Sequence, residues 1–497
     1  MTAYASLAGH FGRIAAMSNA IGVLQWDSDA MMPKGAAGSR AESMALLRVL
    51  QHEMAVDPRI GDWLAEAEQD NRLDDWERAN LREIRREWIA QTALPANLVE
   101  ASSKAISACE MAWRQARADS DFAALLPYLT EVLKLEREIG AAKGAKLGLS
   151  TYDALLNDNE PGGRSAKIDE LFDDLAAFLP DFIERAIAAQ TRRSQPAALN
   201  GPFPVESQRQ LGLKMMKALG YDFERGRLDV STHPFCGGAD NDVRITTRYD
   251  EADFTKALMG VIHETGHALY EQGRPAAYLN QPVSRARGMS LHESQSLLME
   301  MQACRSHEFF MFAAPSMREA FGGSGPAWEP EALWRRYTKV ERGFIRVEAD
   351  EVTYPAHVIL RYRLEKALIA DEMSLAELPA AWNAGMKELL GIVPPNDRLG
   401  CLQDIHWPSG AWGYFPTYTL GAMTAAQLFE AACKAEPETL PRIARGDFAP
   451  LIAWLRANIH SQGSRYETDE LLARATGRPL DANIFKAHLA RRYLDAA

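Results

Sequence analysis

The sequence predicts a mostly helical body with one small β-sheet beside a metal-binding helix. Three observations support this. Apolar residues recur at helical spacing over most of the 497 residues, strand-like alternation is largely confined to Arg227 through Tyr249, and His263-Glu264-Thr265-Gly266-His267 lies in an apolar, helix-forming run. Leu125, Leu126, Leu129, Val132 and Leu133 form one stripe between Asp121 and Ile139, and Leu171, Phe172, Leu175, Phe178 and Leu179 form another. Both stripes predict amphipathic helices facing a core. Pro196 to Pro204 and Gly322 to Pro326 read as loops too short to mark domain boundaries, so residues 1–497 are expected to form one unit.

Asp242 to Tyr249 alternates as a strand does, and is expected to form an edge along which a peptide backbone could lie. The helix that follows is signalled at its start by Asp250 and Asp253, along its length by Leu258, Val261, Ile262, Ala268 and Leu269, and at its end by Gly273 before Pro275. Residues four apart on a helix lie one above the other, so His263 and His267 can grip one metal ion. Glu264 then stands beside the open coordination position, where it can take a proton from water acidified by the metal. The plainer alternative is two ordinary helix histidines and a solvated glutamate. A catalytic zinc usually takes a third protein ligand. Glu293 is the candidate and His292 the alternative, while Ser290 and Glu293 also match a capping box for a helix running from Leu291 through Leu298.

Composition excludes several classes. A net charge of −12 argues against nucleic acid as the main partner. No segment approaches an uninterrupted membrane span, and Met1 to Ala20 lacks the basic start and apolar core of a secretory signal, so a cytoplasmic location is expected. The five cysteines are scattered and odd in number, which predicts buried reduced thiols and no disulfide framework.

His233-Pro234-Phe235, Asp242-Val243-Arg244-Ile245-Thr246, His263 to His267, His292-Glu293-Ser294-Gln295, Ile345 to Asp350, and Gly400 to Trp407 together resemble the motif series of the carboxypeptidase Taq family. Trp26-Asp27, Met32-Pro33 and Tyr152 through Gly162 extend the resemblance into the N-terminal half. It implies a metal-dependent carboxypeptidase, helical throughout, with a deep groove that two lobes could flank, related in architecture to angiotensin-converting enzyme and neurolysin-like peptidases. It further implies zinc, with cobalt or another divalent ion possible, held by His263, His267 and Glu293. Glu264 would serve as general base and then proton donor, and the enzyme would be a homodimer.

Cutting at a C-terminus requires recognition of a free carboxylate, for which the planar fork of arginine is best suited. Arg346 is the first candidate and Arg244 the second; either could instead sit in a structural ion pair, with Asp350 or Asp242 as partner. Asp242 and Asp350 could alternatively orient the metal-bound imidazoles. His406 and Tyr418, with Tyr414 as alternate, are candidates to steady the oxyanion, and His233 is a candidate groove residue. The expected reaction releases single C-terminal residues from peptides. The rival readings are an oligopeptidase or endopeptidase on the same fold, and a non-catalytic helical binding protein.

Overall fold

A computed structural model gives the fold and describes residues 2–193 and 196–495. Both predicted stripes are helices. Phe122–Leu147 starts at Asp121, whose carboxylate accepts from the Ala124 N–H, and buries Leu125, Leu129, Val132 and Leu133. Ser165–Thr191 buries Phe172, Leu175 and Leu179. Leu126, Leu171 and Phe178 are half-buried against the same core. That core draws residues from Leu98 through Tyr493, and a smaller one, from Ala3 to Ile84, packs the N-terminal helices together. A third cluster, including Met216, Val243, Ile245, Val261 and Ala268, seats the sheet against the helix that carries the histidines.

The sheet has three strands: β1 (Leu228–Val230), β2 (Cys236–Ala239) and β3 (Asp242–Thr247), in the order β1-β3-β2. β1 runs parallel to β3 with Leu228 opposite Ile245, and β2 runs antiparallel with Ala239 opposite Asp242. This corrects the expected edge: β3 is central and its backbone is paired on both sides. The free side of β2 meets the first helix, Ala3–Ala30, where a Cβ on Gly22 would sit 2.1 Å from the Gly238 carbonyl oxygen. Only glycine permits that approach.

All five cysteines are free; Cys109, Cys304 and Cys401 are buried, while Cys236 and Cys433 are half-buried. Among the described residues no helix is long and apolar enough to cross a membrane.

Candidate metal centre and active site

The helix Phe254–Gly273 is capped by Asp253, which accepts from the Thr255 N–H at 2.9 Å, and it ends at Gly273 as its sequence signals predict. One turn separates His263 from His267, whose ring centroids lie 5.0 Å apart. Between them, Gly266 faces the next helix so closely that a Cβ there would lie 2.4 Å from the Gln295 carbonyl oxygen. This contact brings the helix Gly288–Leu297, and with it Glu293, against the two imidazoles. On the far side a Cβ on Gly421, in the helix Pro416–Ala435, would stand 3.0 Å from that of Glu293.

Glu293 Oε2 lies 3.4 Å from His267 Nε2 and 3.8 Å from His263 Nε2. Two ligands about 2.1 Å from a shared ion and tetrahedrally arranged would be roughly 3.4 Å apart, so the separations suit one divalent cation. Two imidazoles and a carboxylate are also the donor chemistry that zinc accepts. Among the described residues these three form the only cluster of His, Cys, Asp and Glu side chains with such convergence.

The capping box at Ser290 does not form. The helix starts earlier, at Gly288, and the Ser290 N–H donates 3.1 Å to Glu160, a carboxylate from a distant segment. Glu293 is thereby left free to face the histidines. His292 does not join the cluster; its Nε2 meets Glu271 at 3.1 Å while its ring stacks on His267 at 4.4 Å.

Asp242 and Asp350 do not orient the imidazoles. Asp242 binds Arg244 in a bidentate pair at 2.8 and 2.6 Å, and Asp350 accepts from the backbone of Glu341, Val352 and Thr353. The imidazole partner is Glu300, whose carboxylate lies 2.9 Å from His263 Nδ1 and is itself held by Arg305 at 2.6 Å. Glu300 stands two helical turns beyond Glu293, a spacing that could have flagged it.

Burial raises the Glu264 carboxyl to about 7, with His263 opposing and Glu293 adding to the rise. A base poised near neutral pH suits proton transfer. Burial would also raise Glu293, but His263 and His267 hold it below its ordinary value. Burial, then His292, lowers His267 to about 4, the neutral state a ligand needs, whereas His263, although burial would lower it, is held up at about 10 by the Glu293 and Glu300 carboxylates and would give up a proton to a metal.

A second group forms around Asp404. One carboxylate oxygen accepts from Arg346 Nε and Nη2 at 3.1 and 3.0 Å, and the other from Arg361 Nε at 2.7 Å. Arg346 is therefore ion-paired, but with Asp404 and not with Asp350 or Asp242. Its guanidinium lies 4.6 Å over the Tyr418 ring, and the Tyr418 hydroxyl is 3.0 Å from His406 Nε2. Tyr414 packs on Tyr418 at 5.2 Å, and both phenols feel the Glu293 charge, which links this group to the metal ligands. Burial and then Arg346 lower His406 to about 4, so it is neutral. Arg346, His406, Tyr414 and Tyr418 are thus brought together. Arg244 is not: it lies on β3 over Trp26. His233 is exposed in the β1–β2 connection.

The loop carrying His406 is anchored by Glu365, a buried carboxylate that accepts from Trp407 Nε1 at 2.7 Å, the Gly413 N–H at 2.8 Å and the Tyr152 hydroxyl at 2.8 Å. Neither Glu365 nor Arg361 carries a sequence signal, because their partners are distant in the chain. Beside His292 and Glu271 lies a cavity of about 490 Å³, walled by β2 and the first helix.

Comparison with known proteins converges on one family. A family model described as carboxypeptidase Taq (M32) metallopeptidase matches residues 6–493. The chain is 40% identical to thermostable carboxypeptidase 1 of Thermus thermophilus over 97% of each sequence, and 34% identical to carboxypeptidase 1 of Bacillus subtilis over 97% of this chain and 96% of that one. Among solved structures, metallocarboxypeptidase 1 of Trypanosoma cruzi superposes with a TM-score of 0.97 at 40% identity, covering 99% of both chains. An M32 carboxypeptidase from Deinococcus radiodurans gives 0.94 at 34% identity, also over 99% of both.

Proposed function

The chain belongs to the carboxypeptidase Taq (M32) metallopeptidase family and is therefore a metal-dependent carboxypeptidase; from that premise we propose that His263, His267 and Glu293 hold a zinc ion and that Glu264 is the general base. A bound divalent ion supplies an acidified water and a polarised carbonyl. The chain's own groups do the remainder. Glu264 takes the proton of the attacking water and returns it to the leaving amine. His406 and Tyr418, with Tyr414 behind them, donate to the oxygen on which negative charge develops. Cobalt or another divalent ion would suit the same ligands.

The observation that carries the C-terminal specificity is the charge around Asp404. Two buried guanidiniums, Arg346 and Arg361, share this single carboxylate, and the neighbouring His406 is neutral. A buried cation without its own counter-ion is costly, and the terminal carboxylate of a peptide would provide one at Arg346. The cavity beside His292 supports a groove for the rest of the peptide. The family resemblance adds to the proposal two lobes of one unit flanking this groove, in an architecture like that of angiotensin-converting enzyme and neurolysin. The helix Ala37–Ala55 exposes Leu46, Val49 and Leu50, which supports a homodimer. A cytoplasmic location completes the reading.

A peptide ladder tests it. The zinc-loaded enzyme should remove single residues from a free C-terminus and leave the amidated peptide intact; internal cleavage of the amidated peptide would instead indicate an endopeptidase. Glu264→Gln should retain zinc and lose about 10²- to 10⁴-fold in kcat. Normal turnover by that variant would defeat the assignment of the base.

A further inference from the structure

We propose that the C-terminal turn, and Arg492 above all, is a positioning element for the metal centre, acting through the helical stretch that carries Glu300. This rests on the reading of His263, His267 and Glu293 as metal ligands. The ligand helix does not stop at Leu297 but continues as a π-helix, Leu298–Ala303. Glu300 lies in that π-helical stretch, and its carboxylate fixes the His263 ring through Nδ1. The wider π turn alters the angular relation between Glu293 and Glu300, so the position of this turn decides whether the two carboxylates address His263 together.

A helix end leaves carbonyls without intrahelical partners. Here the partner is a side chain from the far end of the sequence. Arg492 donates through Nη1 to the Met301 carbonyl and through Nη2 to the Gln302 carbonyl, the latter at 3.0 Å. Both carbonyls lie within two residues of Glu300. Arg492 is itself pinned by Glu351 Oε2 at 2.8 Å, with side chains 9% and 0% exposed. Glu351 also accepts from His488 at 2.7 Å, from Tyr493 at 2.8 Å and from the Gln302 side chain at 2.8 Å. One carboxylate therefore ties the last helical turn to the segment beneath the metal ligand, and the guanidinium fork spans two consecutive carbonyls. A single ammonium could not span both.

The test is zinc binding by the full-length chain, read by competition with a chromophoric chelator, beside thermal denaturation of the metal-free protein. Arg492→Met keeps the apolar stem and removes the fork. The zinc dissociation constant should rise about 10-fold, the lower end of what outer partners of metal ligands contribute, with KM at saturating zinc changed less than twofold. Tyr493→Phe removes a donor to Glu351 but leaves the carbonyl clamp, and should bind zinc as the wild type does. Arg492→Lys should fall between wild type and Arg492→Met, and serves if the methionine variant does not fold.

Zinc affinity within twofold of wild type in the folded Arg492 variants would overturn the proposal. An equal loss in Tyr493→Phe would do so too, since that would mean general loosening. If wild-type zinc binding instead survives His263→Ala with His267→Ala, the metal-centre reading itself fails, a result distinct from either.

Discussion

At the scale of single residues, the site depends on carboxylates whose charge is set by burial. Glu264 is the reactive case, and Glu365 is a structural one whose titration is easier to isolate, because none of the groups that donate to it is a metal ligand. Burial raises Glu365 to about 7 even though Trp407, Tyr152 and Gly413 donate to it. The sign follows from linkage: an acid whose folded pKa lies above its unfolded value stabilises the fold below the unfolded value, and that contribution is lost as pH rises through the folded one. Glu365→Gln removes this titration. The stability of wild type minus that of Glu365→Gln, from urea denaturation, should therefore fall steadily from about pH 4.5 to about pH 7 and level off above that. A difference that stays flat would show that Glu365 is ionised throughout. Because Trp407 and Gly413 flank His406, a slackened loop in the variant should also appear as a higher KM.

At the scale of elements, two helices carry the metal ligands and one glycine sets their spacing. Gly266 abuts the backbone at Gln295 and Ser296, whereas a Cβ on Gly260, in the same helix, would meet nothing within 4 Å. Gly266→Ala should therefore cost about 1–3 kcal/mol through overpacking and weaken zinc binding. Gly260→Ala should be neutral or stabilise by up to about 1 kcal/mol through helix propensity. Urea denaturation with zinc titration checks both, and equal behaviour of the two variants would contradict the close-packing argument. What the sequence revealed divides along the same lines. Periodicity marked the stripes, and local signals marked the cap at Asp253 and the end at Gly273, all of which depend on neighbours within a few residues. It could not place β3 between β1 and β2, because strand order depends on pairings that alternation does not encode. Glu293 was legible through its motif, whereas Glu300 belongs to no motif and was marked only by its spacing of two helical turns beyond Glu293. The partner of Arg346 was misread because a local acid, Asp350, competed in the sequence with Asp404, which the fold brings in from another loop.

At the scale of the whole molecule, the N-terminal helices have their own small core and must be held to the main one by specific contacts. Glu83 and Arg287 provide a central one: their side chains are 2% and 1% exposed and meet at 2.7 Å. Asn80 adds a bond to the Gln281 side chain at 2.9 Å, and Arg82 binds the Ser464 carbonyl at 2.8 Å. Arg287 immediately precedes the helix that begins at Gly288 and presents Glu293, so the seam between the two cores also sets where a metal ligand begins. Breaking a buried pair by deleting one partner typically costs 3–5 kcal/mol, because the remaining charge stays desolvated. Arg287 retains Glu467 as a second partner, which places the expected cost of Glu83→Ala at the lower end, about 3 kcal/mol. Urea denaturation should show this loss, and zinc affinity should fall with it because the start of the ligand helix is freed. Replacing both partners together, as Glu83→Leu with Arg287→Met, should recover much of the stability, since no charge is then stranded. If the single variant lost stability while zinc affinity stayed at the wild-type value, the seam would hold the two cores together without governing the metal centre.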